Sequence, residues 1–361
     1  MIRCGIAGTG RGAAYVPAIE KNKNAEIISI CAARSSELEH YRNYQTFTEF
    51  RRFLQSGLDL IILATPGPLH ASQAQAALEA GIHVLCETPA VYSPEEADAV
   101  AEAAKKGSAR FMLAENYLWM GYFERLTSMK EQGLLGEIYY AEGSYLHDLR
   151  DLMLQTEDGY IPYRDRSVHP GARKSWRAES LPPILYTSHL AGPILTLMDD
   201  RITWAECRGI FGRTVPDLEV PDLQTAVFGT EKNNLIRLTA GFTAAHPFSF
   251  AYKLVGTEGT AILENRGTTV LTYYSDRFSG ETGWRRETVP FADRDDGRSE
   301  TEAMMDSVID GLTADGSFPL TFSRSMDFSL PGAAAVRSWE SGGQTVMVSR
   351  SGRNRPSVPS S

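Results

Sequence analysis

The sequence predicts an α/β protein in two parts. The first is a doubly wound parallel sheet. The second is an α+β domain built on a large, mostly antiparallel open sheet. Three observations carry this reading. Apolar runs alternate with helical patterns through the first 120 or so residues. A glycine-rich turn closes the first of those runs. After residue 121 the grammar changes to a helix and then to strand-like runs joined by short turns.

The apolar runs are "IRCGIAG" (2–8), "AEIISICAA" (25–33), "LDLIILATP" (58–66), "IHVLCETP" (82–89) and "ARFMLAEN" (109–116). They are continuous rather than alternating, which suits parallel strands covered on both faces. "HASQAQAALEAG" (70–81) is an alanine-rich helix stopped by Gly81. In "SPEEADAVAEAAKKG" (93–107) Ser93 is the N-cap and Pro94 the first helical residue, with acids in the first turn and Lys105, Lys106 and Gly107 at the end. Strand and helix alternating in this way give a doubly wound sheet.

Beyond residue 121, "FERLTSMKEQGLLG" (123–136) reads as a helix and "EIYYAEGSYLHD" (137–148) as a strand. Strands are expected at 202–210, 223–230, 234–244, 248–257, 259–265 and 269–275, with "TEKNN" and "TEG" as turns. Helices return at 299–312 and 324–341. The expected division is 1–121 and 122–348, followed by a polar, proline-bearing tail at 349–361 expected to be disordered.

A chain of 361 residues is long enough for two domains. Its net charge of −9 argues against a nucleic-acid partner, which calls for a basic excess. The four cysteines, Cys4, Cys31, Cys86 and Cys207, form no CxxC pair. The first three sit in strand-like runs, so buried free thiols in a reducing compartment are expected. No His/Cys spacing suggests zinc, and no metal is expected. No apolar run reaches membrane-spanning length and Met1 leads straight into a strand, so a cytoplasmic protein is expected.

"GIAGTGRGA" (5–13) sets Gly8, Gly10 and Ala13 in G-x-G-x-x-A spacing between a strand and a helix. Glycines there let the backbone approach a pyrophosphate, so Gly8, Thr9, Gly10, Arg11, Gly12 and Ala13 are the expected dinucleotide cradle of a Rossmann sheet. The second strand ends in "CAARSSE", with no acid at its end. An acid there favours NAD and an Arg favours NADP. Arg34 and Ser35 are therefore cofactor candidates; NAD is expected, with NADP left open. Thr65, Pro66 and His70 of "ATPGPLH" follow the third strand, where a ligand at the sheet's switch point would meet them. Glu87, Thr88 and Pro89 follow the fourth strand, with the Thr88–Pro89 bond expected to be cis. Glu115 and Asn116 end the fifth, where a strand-end ligand contact is expected.

The glycine loop, "ATPGPLH", "GIHVLCETPA" and "LLGEIYYAEGSY" together resemble the glucose–fructose oxidoreductase, inositol dehydrogenase and rhizopine-catabolism (Gfo/Idh/MocA) family. The resemblance implies an N-terminal Rossmann domain and a C-terminal open sheet that carries the substrate site. It also implies dimers or tetramers formed through that sheet. In the family's common dehydrogenases the loop after the fourth strand reads E-K-P, and its lysine works with an Asp-x-x-x-His pair. Here Thr88 stands for the lysine, and Leu185 for the aspartate before His189.

Those departures resemble the NAD-dependent α-N-acetylgalactosaminidases, whose motifs are similar to residues 114–150, to "WR" (176–177) and to "LYTSHLAGP" (185–193). That likeness implies a glycosidase that borrows a hydride. The sugar is oxidised at C3, the aglycone is eliminated, water adds, and the ketone is reduced again. A sugar or cyclitol dehydrogenase is the alternative, and a non-catalytic dinucleotide and sugar sensor a second one.

The resemblance marks His189 and Tyr145 as the catalytic pair. Imidazole titrates near working pH and can take a hydroxyl proton. Gly192 and Pro193 around His189 point to a loop rather than a core. In a strand Tyr145 and His147 share a face. A tyrosine near pKa 10 needs a neighbouring cation or the oxidised nicotinamide to act as a base. Asn116, Tyr117, Trp119 and His147 are candidates to line a sugar pocket, against ordinary interdomain packing for the two aromatics. Arg164, Arg166, Arg173, Lys174 and Arg177, with His169, form a local basic cluster. It is either a solvated loop or a contact for a sulfonate, phosphate or carboxylate on the substrate, with Arg173 and Arg177 the named candidates. The partner expected is a small glycoside or sugar.

Overall fold

A computed structural model describes residues 1–157, 159–215, 217–278, 283–292, 294 and 296–348. The tail at 349–361, read from sequence as disordered, lies outside the described residues.

The first sheet is parallel throughout. It comprises β1 (Ile2–Ala7), β2 (Ala25–Cys31), β3 (Gln45–Phe47), β4 (Leu60–Leu63), β5 (His83–Cys86) and β6 (Phe111–Leu113), in the order β3-β2-β1-β4-β5-β6. Strand order reverses between β1 and β4, which opens a ligand crevice at their carboxyl ends. All four residues of β4 are fully buried, as the unbroken apolar run predicts. The edge strand β3 is polar and mostly exposed. An apolar-run criterion passes over such a strand, and the sequence reading missed it. Helices α1 (Tyr15–Lys21), α2 (Phe50–Phe53), α3 (His70–Glu79) and α4 (Pro94–Lys105) connect the strands. The Ser93 hydroxyl accepts from the Glu96 N–H at 3.2 Å, as its N-cap position predicts.

The second sheet mixes directions. After α5 (Gly121–Glu131) and β7 (Ile138–Leu146), a small three-stranded sheet forms from β8 (Leu154–Thr156), β9 (Gly159–Ile161) and β10 (Arg173–Lys174). Two helices follow, α6 (Trp176–Ser180) and α7 (Ser188–Met198). Then come β11 (Ile202–Ile210), β12 (Leu223–Thr230), β13 (Leu235–Gly241), β14 (Ser249–Gly256), β15 (Gly259–Asn265), β16 (Thr269–Ser275) and β17 (Arg285–Thr288). The chain ends, among the described residues, with α8 (Glu300–Ala314), α9 (Phe322–Glu340) and β18 (Val346–Met347). The order of the nine strands is β17-β16-β15-β14-β7-β13-β12-β11-β18, and only β7–β13 is parallel. One face is covered: Ala141, Tyr145, Ile236, Leu238, Phe250 and Tyr252 are buried there. The other face is open and carries Glu142 bridged to Arg237 and Lys253. Helix α8 returns to the first sheet, where Met304, Met305, Val308 and Ile309 join a core with Cys4, Ile6 and Tyr15. The four cysteines are buried and free.

One expectation is overturned. Residues 188–193 are not a loop but the first turns of α7, and His189 is 7% exposed. Pro193 sits inside that helix. A proline lacks the N–H that would bond the carbonyl four residues earlier, here that of His189. The fold supplies a substitute donor: the Tyr252 hydroxyl on β14 donates to the His189 carbonyl oxygen at 2.6 Å. Gly and Pro read as loop signals from sequence, and a single long-range hydrogen bond lets them stand in a helix.

Replacing Tyr252 with Phe removes that donor and leaves a buried carbonyl unpaired. We expect a loss of about 1–3 kcal/mol in stability, read by urea denaturation. Unchanged stability would show that the Tyr252 bond does not hold α7.

Candidate active site

The glycine cradle follows β1. Gly8 has φ +94°, and an added Cβ would lie 2.3 Å from the Ala64 carbonyl oxygen, so only glycine fits where β1 and β4 diverge. A Cβ on Gly10 would meet nothing within 4 Å; this position faces open space, as a backbone that receives a pyrophosphate must. A Cβ on Gly12 would come within 2.8 Å of Ile6. The close strand–helix contact therefore falls at Gly12, one position before the Ala13 that the spacing suggested; Ala13 is exposed. This shape fits a dinucleotide.

Arg11 and Glu87 meet across the crevice. Arg11 Nε donates to Glu87 Oε1 at 2.9 Å, and the buried Tyr15 hydroxyl donates to the same oxygen at 2.7 Å. His70 is 1% exposed, and its ring nitrogens face the carbonyls of Pro89 (2.9 Å) and Thr65 (2.8 Å). Burial pushes its pKa below the ordinary value. His70 thus braces the two loops that flank the crevice and presents nothing to a ligand. Thr65 is half-buried and donates to Gln73, Pro66 is exposed, and the Thr88–Pro89 bond is cis. Arg34 is engaged by Glu37, three residues on, and by the Glu157 carbonyl; Ser35 beside it is exposed.

At the end of β6 the first sheet meets α7. Glu115 is fully buried, and its Oε1 lies 2.8 Å from His189 Nδ1. The other ring nitrogen, Nε2, is 3.3 Å from the Thr88 hydroxyl. The Tyr117 ring stacks on His189, with centroids 4.4 Å apart. Tyr145 stands 5.8 Å from His189, centroid to centroid, and 6.1 Å from His147. Tyr186 and Phe248 close the Tyr145 side. Burial raises the Tyr145 pKa well above its ordinary value; nearby Tyr186 adds to this, and the Tyr117 hydroxyl opposes it. The cation expected to lower it is Arg11, and its pull is the weakest of the named influences. His147 is half-buried, with its pKa lowered by burial.

The structure thus brings Thr88, Tyr117, Tyr145, His147 and His189 together. Asn116 is buried and donates to Glu300. Trp119 is not brought to the cluster; its indole donates to Ser307 on α8. Two charges of the basic segment are paired with acids, Arg166 with Asp217 and Lys174 with Glu219. Arg173 is exposed on β10, away from the cluster. Arg177 donates to the Tyr160 hydroxyl at 3.0 Å and lies over the Trp176 ring at 4.5 Å. Burial raises the Tyr186 pKa, and the Arg177 charge opposes that rise. Glu115 as the partner of His189, Tyr186 and Glu37 were not singled out from sequence. "LYTSHLAGP" contains Tyr186 three residues before His189, a one-turn spacing that becomes informative only once the segment is known to be helical.

A Rossmann sheet with an open glycine cradle, facing a carboxylate–imidazole–phenol cluster against a second open sheet, has the form of a dinucleotide-binding protein in two parts. Residues 2–115 match the family model described as "Oxidoreductase family, NAD-binding Rossmann fold". The narrower likeness is also found. A glycosyl hydrolase family 109 protein of Stenotrophomonas maltophilia is 26% identical over 303 residues, covering 72% of this chain and 66% of that protein. An alpha-N-acetylgalactosaminidase of Bacteroides fragilis is 24% identical, covering 72% of this chain and 68% of its own. The chain thus spans about two thirds of the length of these relatives, and 45% of another from B. fragilis. Among solved structures, an oxidoreductase domain protein from Kribbella flavida matches with TM-score 0.77 at 21% identity, over 97% of this chain and all of that one. A levoglucosan dehydrogenase complexed with NADH and L-sorbose matches with TM-score 0.76 at 19% identity, over 97% of this chain and 99% of that one. Among the described residues no cluster of three or more His, Cys, Asp or Glu side chains could hold a metal, and no helix is long and apolar enough to cross a membrane.

Two outcomes follow from this geometry. Gly10→Ala has room for its methyl group, so thermal stability without ligand should match the wild type while NADH affinity falls at least about tenfold, by fluorescence titration. Burial raises the pKa values of Tyr15, Tyr117, Tyr122, Tyr145 and Tyr252. The fold therefore favours their neutral forms: the stability they contribute is intact below the free-tyrosine pKa of about 10 and is lost as pH rises above it. Phenolate absorbance from these residues should appear only together with unfolding.

Proposed function

We propose that the protein is an NAD-dependent glycosidase that cleaves by transient oxidation at sugar C3, elimination of the aglycone, addition of water and re-reduction. The observation that carries this reading is the Thr88–His189–Glu115 chain beside Tyr145 at the mouth of the glycine cradle. In this reading residues 1–121 hold the dinucleotide and 122–348 the sugar, with α8 bracing the first sheet. Gly8, Thr9, Gly10, Arg11, Gly12, Ala13, Thr65, Glu87 and Asn116 would hold the cofactor, which would supply a reversible hydride acceptor for C3. NAD is the dinucleotide of this reading; the Arg34–Glu37 pair at the second strand's end sets a basic and an acidic group against each other.

The protein's own groups handle the protons. His189 Nε2 takes the proton of the C3 hydroxyl as the hydride leaves, and gives it back on re-reduction. Thr88, where a lysine would stand, brings a neutral hydroxyl to the same nitrogen and adds no competing cation. Tyr145 is kept protonated by burial at neutral pH, so it is cast as a relay. It hands its proton to the departing glycosidic oxygen and takes the C2 proton in exchange. Arg177, half-buried beside the pocket, suits an anionic group on the glycoside. The open face of the nine-stranded sheet suits a homodimer or homotetramer.

A sugar dehydrogenase is the second reading, favoured by the oxidoreductase family match. Nitrophenyl glycosides separate the two. Phenol release without net NADH supports the glycosidase, and NADH accumulation on free sugars supports the dehydrogenase. Tyr145→Phe and His189→Ala should each lower turnover by at least about a hundredfold while dinucleotide stays bound. Near-normal turnover in both would remove them from the site. Substrate carrying deuterium at C3 should be cleaved more slowly than unlabelled substrate, with solvent deuterium appearing at C2 of the product.

A further inference from the structure

We infer that Glu115 is the positioning residue of the site: its buried carboxylate fixes the proton of His189 on Nδ1, leaves Nε2 as the open acceptor, and balances the imidazolium formed when that acceptor is filled. The inference rests on the proposed role of His189 but can be read without any substrate.

Four observations carry it. Glu115 is fully buried and, among the described residues, its ionic contact is His189. Oε1 also lies 3.4 Å from the Tyr117 backbone N–H, so the same oxygen accepts twice and is no place for the shared proton. Nδ1 therefore donates and Nε2 keeps its lone pair, toward which the Thr88 hydroxyl points. Oε2 is buried without any hydrogen-bond partner, an arrangement that costs stability. Finally, α7 makes room for this carboxylate: a Cβ on Gly192 would lie 2.8 Å from Glu115 Cγ. A helix that carries glycine where alanine is the better helix former has given up local stability for that space.

The chemistry is the orienting role of a carboxylate behind a catalytic imidazole. On proton uptake the O3–H bond breaks and an Nε2–H bond forms. The positive charge spreads over the ring and faces Glu115 through Nδ1–H. When the proton returns to the sugar the ring is neutral again, with the same nitrogen protonated as before.

The test uses the full-length protein with isotope-labelled histidine. NMR of the wild type should find His189 protonated on Nδ1 and bare on Nε2. In Glu115→Gln, which keeps the shape and removes the charge, the ring should lose this fixed assignment. With a turned-over glycoside, kcat should fall about a thousandfold with KM unchanged, because substrate contacts are untouched. Gly192→Ala, which pushes the carboxylate aside, should reproduce both effects and serves if Glu115→Gln does not fold. A wild-type ring protonated on Nε2 overturns the inference, as do variants whose spectrum and kcat both match the wild type. If no glycoside is turned over, the proposed function fails, and the spectra alone decide the role of Glu115: an unchanged ring overturns it and a released one upholds it.

Discussion

The structure turns on one hydrogen bond, from His189 Nδ1 to a carboxylate with no exposure to solvent. A buried charge is costly unless it is paired, and removing one partner leaves the other stranded. Glu115 comes from the end of the parallel sheet and His189 from the first turn of α7, so the bond joins the two halves where a substrate would lie between them. The neighbouring choices accommodate it. Gly192 clears the volume, Pro193 frees the His189 carbonyl, and Tyr252 reaches up from the second sheet to take that carbonyl. The position of one imidazole is thereby set from three sides.

The same economy of contacts holds the cofactor side. His70 ties the loop after β4 to the loop after β5, and Glu87 ties that second loop to Arg11 and Tyr15. Thr88 then reaches from this braced loop to His189. Cradle and acceptor are thus joined through four consecutive groups rather than by a flexible linker. A lysine at position 88 would introduce a cation beside Nε2 and compete for the proton. In the proposed reading, a threonine at this position leaves the imidazole as the acceptor.

Much of this was legible in sequence because it depends on local rules. Unbroken apolar runs mark strands covered on both faces, Ser93 and Pro94 mark a helix start, and the spacing of Gly8 and Gly10 marks a phosphate-approach turn. The parts that were not legible depend on contacts between distant residues. Gly192 and Pro193 read as a loop because the hydrogen bond that lets them stand in α7 comes from Tyr252, far along the chain. Glu115 could be placed at a strand end but not paired, since nothing near it names residue 189. The basic segment read as a charge cluster because the acids paired with it, Asp217 and Glu219, lie some 45 to 51 residues away. β3 was lost for the opposite reason: an edge strand exposed to water has no apolar signature to find.

Burial also bears on which reaction this geometry suits. A dehydrogenase releases one proton to solvent in every turnover, so the group that accepts it must reach water or a chain of exchangeable groups. Here His189 and Tyr145 are almost wholly covered, and the partner behind His189 is fully so. A cycle in which the hydride returns to the sugar also returns the hydroxyl proton, and a relay that gives one proton and takes another ends as it began. Such a cycle makes no net demand on proton exchange with bulk water. It also gains from the dry surroundings, because the transient imidazolium and its carboxylate attract each other more strongly where water is excluded. In the proposed cycle the electrons return to the sugar, while water still enters for the addition step and supplies the solvent proton expected at C2.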